Sequence, residues 1–280
     1  MRRALASLTL ACLSAAPLSA GVVYEIEVKD HQSSPPETTQ TQVSAEGKNL
    51  KMSITSGEKG KDGKVIFHGG LREMVVVDDD QQSYMVIDEA TLQRLAGTMS
   101  QVMAQMQEAL KNVPEDKRAM VEQMMKERMG SSAAPPSGPK SELRKTGEKA
   151  TKNGFPCVKY DVFQGSRKVR EMWVTPWSNV EGGGEVRGAF EEMAKFFQSF
   201  VDAMPKMPGG GGFPGTGSDA SFFTDFDGID GFPVLTRELA EDGSLESESA
   251  LRSAKRHTLS PEDFEPPAGY KRQAMPGSGG

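Results

Sequence analysis

Between residues 21 and 88 the apolar residues fall on every second position, and that period admits one kind of structure. In "VVYEIEVKD", Val22, Tyr24, Ile26 and Val28 share one side, while Val23, Glu25 and Glu27 share the other. This is the pattern of an antiparallel strand with one face packed and one in water. "TTQTQVSAEGKNLKMSIT" continues as polar strands around a turn at Glu46-Gly47-Lys48. "KVIFHGG", "REMVVVDDD" and "SYMVID" are short strands divided by turn-forming Gly and Asp runs. The segment predicts a meander of five or six strands whose neighbours pair in chain order.

At Asp88 the period changes. Leu92, Leu95, Met99, Val102, Met106, Leu110 and Val113 recur at steps of three and four, which predicts an amphipathic helix. Pro114 cannot lie inside it, but "NVPEDK" suits a restart, with Pro and two acids in the first turn. Met120, Val121, Met124 and Met125 then form a second stripe, and Gly130 is its natural stop. Seven of the sixteen methionines fall between residues 98 and 130. Three readings stand: core filler, an adaptable apolar surface for a ligand or partner, and a Cu(I) site. Met99, Met103 and Met106 share a helical face, as do Met120, Met124 and Met125, yet no His or Cys accompanies them. Copper therefore ranks third.

Residues 141–175 return to strand, with a hairpin turn at Gln164-Gly165-Ser166 and Tyr160, Val162, Val169 and Trp173 expected on the packed face. "VRGAFEEMAKFFQSFVDAM" is a helix whose stripe is Phe190, Met193, Phe197, Phe200, Val201 and Met204. The Gly- and Pro-rich tract at 205–220 holds neither helix nor central strand. A last hairpin turns at Glu241-Asp242-Gly243, before "SPEDFEPPAGYKRQ" and a flexible tail at 273–280. "GFPCVKYDV" and "GFPVLTREL" both open a strand with Gly-Phe-Pro, a placement where the missing Pro N–H breaks no ladder.

Residues 1–20, "MRRALASLTLACLSAAPLSA", have the basic, apolar and small-residue pattern of a secretory signal peptide. Cleavage is expected after Ala20, with Ala16 as the alternative; lipoprotein processing at Cys12 is a lesser one. The expected location is periplasmic or secreted. No later segment approaches the ~20 apolar residues of a membrane span. Loss of Arg2 and Arg3 moves the formal charge from −6 to −8, a poor match for nucleic acid. Cys157 is then the remaining cysteine, expected as a buried small residue.

Enzyme signals are absent: there is no nucleophile elbow, phosphate loop or dinucleotide fingerprint. His31, His68 and His257 lie far apart, without zinc spacing. Asp225, Asp227 and Asp230 in "TDFDGIDG" fail the calcium-loop pattern, which needs Gly at Asp230 and Glu at Thr236. No catalytic residue, metal ligand or cofactor is expected.

"YEIEVKD", "VVVDDDQQSYMVID", "KNGFPCVKYDV" with "REMWVT", and "GFPVLTREL" with "LSPEDFEPPAGYK" together resemble an exported bacterial family related to the lipoprotein-carrier (LolA/LolB-like) fold. Phe264, Pro267, Gly269 and Tyr270 carry the most characteristic part. The resemblance implies an α+β fold over 21–272, a curved antiparallel sheet half-wrapping amphipathic helices, with a helical insertion at 89–130. It also implies a non-enzymatic binding protein holding a lipid or acyl chain between sheet and helices. Tyr24, Ile26, Met99, Met103, Met106, Met120, Met124, Tyr160, Trp173, Phe197 and Phe200 are the expected lining. The rival expectation is an envelope protein-interaction or stress module with a protein partner and no small ligand.

Overall fold

The computed structural model describes residues 19–56, 62–94, 97–98, 101, 105, 141–203 and 229–274. The methionine stripe and the Gly-rich loop lie outside the described residues. The strands are β1 (Ser19–Asp30), β2 (Glu37–Glu46), β3 (Asn49–Thr55), β4 (Gly63–His68), β5 (Glu73–Asp78) and β6 (Ser83–Asp88). After the insertion come β7 (Ser141–Lys152), β8 (Phe155–Gln164) and β9 (Arg167–Thr175), then helix α1 (Gly183–Ala203). The chain closes with β10 (Phe232–Leu239), β11 (Leu245–Leu259) and the short β12 (Lys271–Gln273). Together they form one curved, open, mostly antiparallel sheet in the order β12-β6-β5-β4-β3-β2-β1-β11-β10-β9-β8-β7.

The meander of β1 to β6 pairs in chain order, as its short connections dictate. β7 to β11 form a second meander. β1 pairs with β11 from Ser19↔Leu259 to Asp30↔Ser247, with a register shift at Glu25/Ile26, and this ladder unites the two. The return to strand at residue 141 is β7, a polar strand whose turn into β8 is Asn153-Gly154. Both residues have positive φ, 50° and 84°, as a tight two-residue hairpin with the right-handed strand twist requires.

The helix-bearing face carries the main core. Val22, Tyr24, Leu50, Phe67, Met74, Trp173, Val234 and Leu251 meet Val186, Ala189, Phe190, Met193 and Phe196 of α1. The helix lies against β1, β2 and β3. Its stripe centres on Phe196, which is fully buried and lies 5.7 Å from the Phe67 ring, while Phe197 is half-buried beside it. Steps of three and four leave both phenylalanines near the stripe, and contact with Phe67 favours Phe196. The helix begins close to the sheet because Gly182 has φ +65° and a Cβ there would sit 2.7 Å from Val22.

The expected common face of Tyr160, Val162, Val169 and Trp173 is split. Trp173 belongs to the main core, whereas Tyr160 and Val162, with Met172, Val174, Ile229 and neighbouring Val169, form a cluster on the opposite face. Met172 and Trp173 are adjacent in β9, so their side chains project to opposite faces.

The opposite face of β3 to β6 is covered by the closing segment. Phe264 packs with Ile66, Val75, Val77 and Leu259, and Tyr270 packs beside them. Lys51 Nζ donates to the Asp263 carbonyl at 2.6 Å, and His68 Nε2 lies 2.7 Å from the Phe264 carbonyl. Asp79 accepts from Lys64 at 2.8 Å and from the Tyr270 hydroxyl at 2.9 Å. β12 then pairs in parallel with β6 and covers that edge of the sheet.

Phe196→Ala is expected to cost about 3–5 kcal/mol of unfolding free energy in a urea titration, and Phe197→Ala markedly less. The closing segment should loosen in acid. A Lys64 hydrogen bond, with help from Tyr270, holds Asp79 below its usual carboxylate range; the Ser260 N–H does the same for Asp263. Both contributions are full above an ordinary carboxylate pKa of about 4, and are lost as pH falls through the lowered folded-state values. Hydrogen-exchange protection of 260–273 should therefore fall before that of the β1–β11 ladder. Equal loss in both would contradict the assignment.

Candidate functional site

The register of the first meander builds two apolar rows across the helix-bearing face. The inner row runs Ala45–Leu50–Phe67–Met74–Ile87 and is buried. Leu92, in helical residues 89–94, joins the same core. One step along the strands, Met52, Val65, Val76 and Met85 form a second row that is half-buried. The helix packs on β1, β2 and β3 and reaches Phe67 of β4 through Phe196, while this row runs on through Val76 of β5 and Met85 of β6. The sequence signal was present as the second apolar position in "KMSI", "KVIF", "MVVV" and "YMVI", but runs apolar at adjacent positions do not declare which face each residue takes.

Several expected lining residues are closed core. Tyr24 is fully buried and its hydroxyl donates to the Glu181 carbonyl at 3.0 Å. Burial, with the Glu181 charge, pushes that hydroxyl's pKa well above its ordinary range. Ile26 and Trp173 are 6% and 4% exposed. Phe197 is half-buried against the core. Tyr160 lies in the cluster on the opposite face, away from these four. Met99, Met103, Met106, Met120, Met124 and the Phe200 side chain lie outside the described residues.

Beyond Trp173 the helix-bearing face becomes charged. Lys152 Nζ sits 4.5 Å over the Trp173 ring. Lys159 lies 3.4 Å from Glu171 and 3.6 Å from Glu148, and Lys168 also pairs with Glu171. Burial works against the Glu171 charge, yet the two lysines hold its pKa below the usual range. Arg237 pairs with Glu248 at 2.8 Å, and on the opposite face Arg170 pairs with Glu238. Two open depressions, of about 490 and 470 Å³, flank this end of the sheet near the β8–β9 and β10–β11 turns. Arg167, Lys168, Glu171, Arg237 and Asp242 line the first, and no expected lining residue borders either.

Two of the histidines are engaged by the fold. His68 Nδ1 faces Glu73 at 3.0 Å and its other nitrogen faces the Phe264 carbonyl, so both nitrogens are occupied by the fold. His257 lies 3.0 Å from the Thr258 carbonyl. Among the described residues no group of three His, Cys, Asp or Glu side chains is placed to hold a metal ion. Asp230 is exposed, while Asp225 and Asp227 lie outside the described residues. Cys157 is buried, and burial raises its thiol pKa. No described helix is long and apolar enough to cross a membrane.

No family model matches the chain, and no curated protein matches it. Among solved structures it is similar to an uncharacterized conserved protein from Thermus thermophilus, at 8% identity and TM-score 0.43, covering 91% of both chains. It is also similar to a chain of the Pseudomonas aeruginosa MucA/MucB complex, at 10% identity and TM-score 0.35, covering 90% of this chain and 57% of that one. A LolA superfamily protein from Nitrosomonas europaea aligns at 10% identity and TM-score 0.28, over 89% of this chain and 91% of that one. At such identities and TM-scores none of them transfers a function to the chain.

Proposed function

We propose that the chain is an exported, non-enzymatic binding protein that holds an apolar ligand, a lipid or acyl chain, against the helix-bearing face of its sheet. The observation that carries this reading is the half-buried row Met52–Val65–Val76–Met85, which crosses from β3 to β6 on the helix-bearing face. Four apolar side chains in register on adjacent strands make a continuous surface, and strands are about 4.8 Å apart, so the row can follow an extended hydrocarbon chain. Methionine at both ends suits such a surface, because its unbranched thioether repacks around different shapes.

This site differs from the one expected from sequence. The core under α1 is packed with Val186, Ala189, Phe190, Met193 and Phe196, so the ligand lies beside the helix rather than beneath it. The methionines of residues 99–124 would complete the lining from the insertion. The sheet half-wraps its helices around that ligand in this reading.

Protein purified from a periplasm should yield a copurifying lipid in native mass spectrometry and should bind a fluorescent fatty acid. Val65→Asp with Val76→Asp places two carboxylates on the row and should weaken fatty-acid binding by about tenfold or more, since buried unpaired charge is costly. Thermal melts of the variant should stay cooperative, because both positions are half-buried. Ligand-free protein that also ignores the fatty acid would sink the lipid reading and leave the protein-interaction module as its successor.

A further inference from the structure

The two edges of the sheet are treated differently. On one side the chain's own closing strand, β12, covers β6. On the other, β7 is the outermost strand, twelve residues long, and among the described residues it pairs with β8 alone. Nine of its residues are exposed and the remaining Leu143, Ala150 and Lys152 are half-buried. Long open edges are ordinarily blunted, because unpaired N–H and C=O groups template another strand.

The charge along this edge is unbalanced. Glu142 is taken by Arg144 at 2.7 Å, and Glu148 faces Lys159 at 3.6 Å. Lys145, Lys149 and Lys152 have no carboxylate partner among the described residues; Lys145 lies 5.7 Å over the Tyr160 ring and Lys152 lies over Trp173. Three uncompensated ammonium groups on one strand stand out in a chain of net charge −6.

A register shift between Lys145 and Lys149 bends the strand, with Gly147 at φ 80°. The bend and the lysines together discourage a second copy of the same edge, which would set twisted strands and like charges against each other. The lysines do not oppose a strand of opposite charge, which can pair on one side of the bend. We infer that β7 is a docking edge for an extended acidic segment of a partner protein, which adds to the sheet by main-chain hydrogen bonds while its carboxylates meet Lys145 and Lys149 on the Tyr160 face. This surface is separate from the apolar row, so it stands whether or not a lipid is bound.

The test uses the full chain and a fluorescein-labelled peptide that alternates Glu with Thr and Val. Anisotropy should show saturable binding that weakens with salt, and a peptide with Lys in place of Glu should not bind. Hydrogen exchange should slow across 141–152 when the acidic peptide is present. Lys145→Glu with Lys149→Glu, both at exposed positions, should keep the fold by circular dichroism and weaken binding by about tenfold. Unchanged affinity in that variant would overturn the proposal, as would binding without protection of 141–152. Protection that rises with the protein's own concentration in the absence of peptide would identify a second copy as the occupant and also overturn it.

Discussion

The ladder between β1 and β11 pairs residues more than two hundred positions apart, from Ser19↔Leu259 to Asp30↔Ser247. Among the described strands it alone joins the meander β1–β6 to the meander β7–β11. Each meander is built from local hairpins, which cost little loop-closure entropy. Joining them is the expensive step, because the chain between is long. Burial repays it: Val22, Tyr24 and Ile26 of β1 and Leu251 of β11 are at most 6% exposed, and they form the centre of the core that receives α1.

Once that ladder exists, the remaining parts have places. Arg256 on β11 pairs with Glu181 and Glu185 at the start of α1, and Tyr24 on β1 donates to the Glu181 carbonyl. These links place the helix N-terminus beside the junction of the two meanders. The helix then packs on β1 to β3 and touches Phe67 of β4, and the row from Met52 to Met85 stays half-buried. The closing segment follows β11 directly, so the same ladder delivers Phe264 to the opposite face and β12 to the β6 edge. One face is thereby sealed by the chain's own end over β3 to β6. Among the described residues the other keeps an apolar surface partly open there, and β7 keeps an open edge.

The candidate site was only partly legible in the residues. Tyr24, Ile26 and Trp173 were recognised as inward-facing, and they are, but inward proved to mean closed core. Their exposure depends on where α1 and its Phe196 settle, and no local pattern encodes that. Tyr160 and Trp173 were grouped because both are large and apolar, although the register of β8 on β9 sends them to opposite faces. The row that does stay half-open went unnoticed in runs such as "MVVV", where adjacent residues are apolar because both faces of that strand are covered. β7 fell inside the stretch read as strand from residue 141, but its turn at Asn153-Gly154 was not placed, because its charged, exposed sequence has no buried face to impose a period.

Local pattern was enough to dictate the elements: six strands in chain order, the turns at Gly47, Gly165 and Gly243, the helix over Gly183–Ala203 and the closing hairpin. Alternation, helical spacing and turn residues act between near neighbours, so they are written in short stretches. Long-range packing settled which of the meanders' edge strands met, which phenylalanine of α1 took the core, and which apolar row stayed half-exposed. Those outcomes depend on contacts between distant segments competing for the same face, and a hydrophobic side chain buries equally well against whichever one arrives.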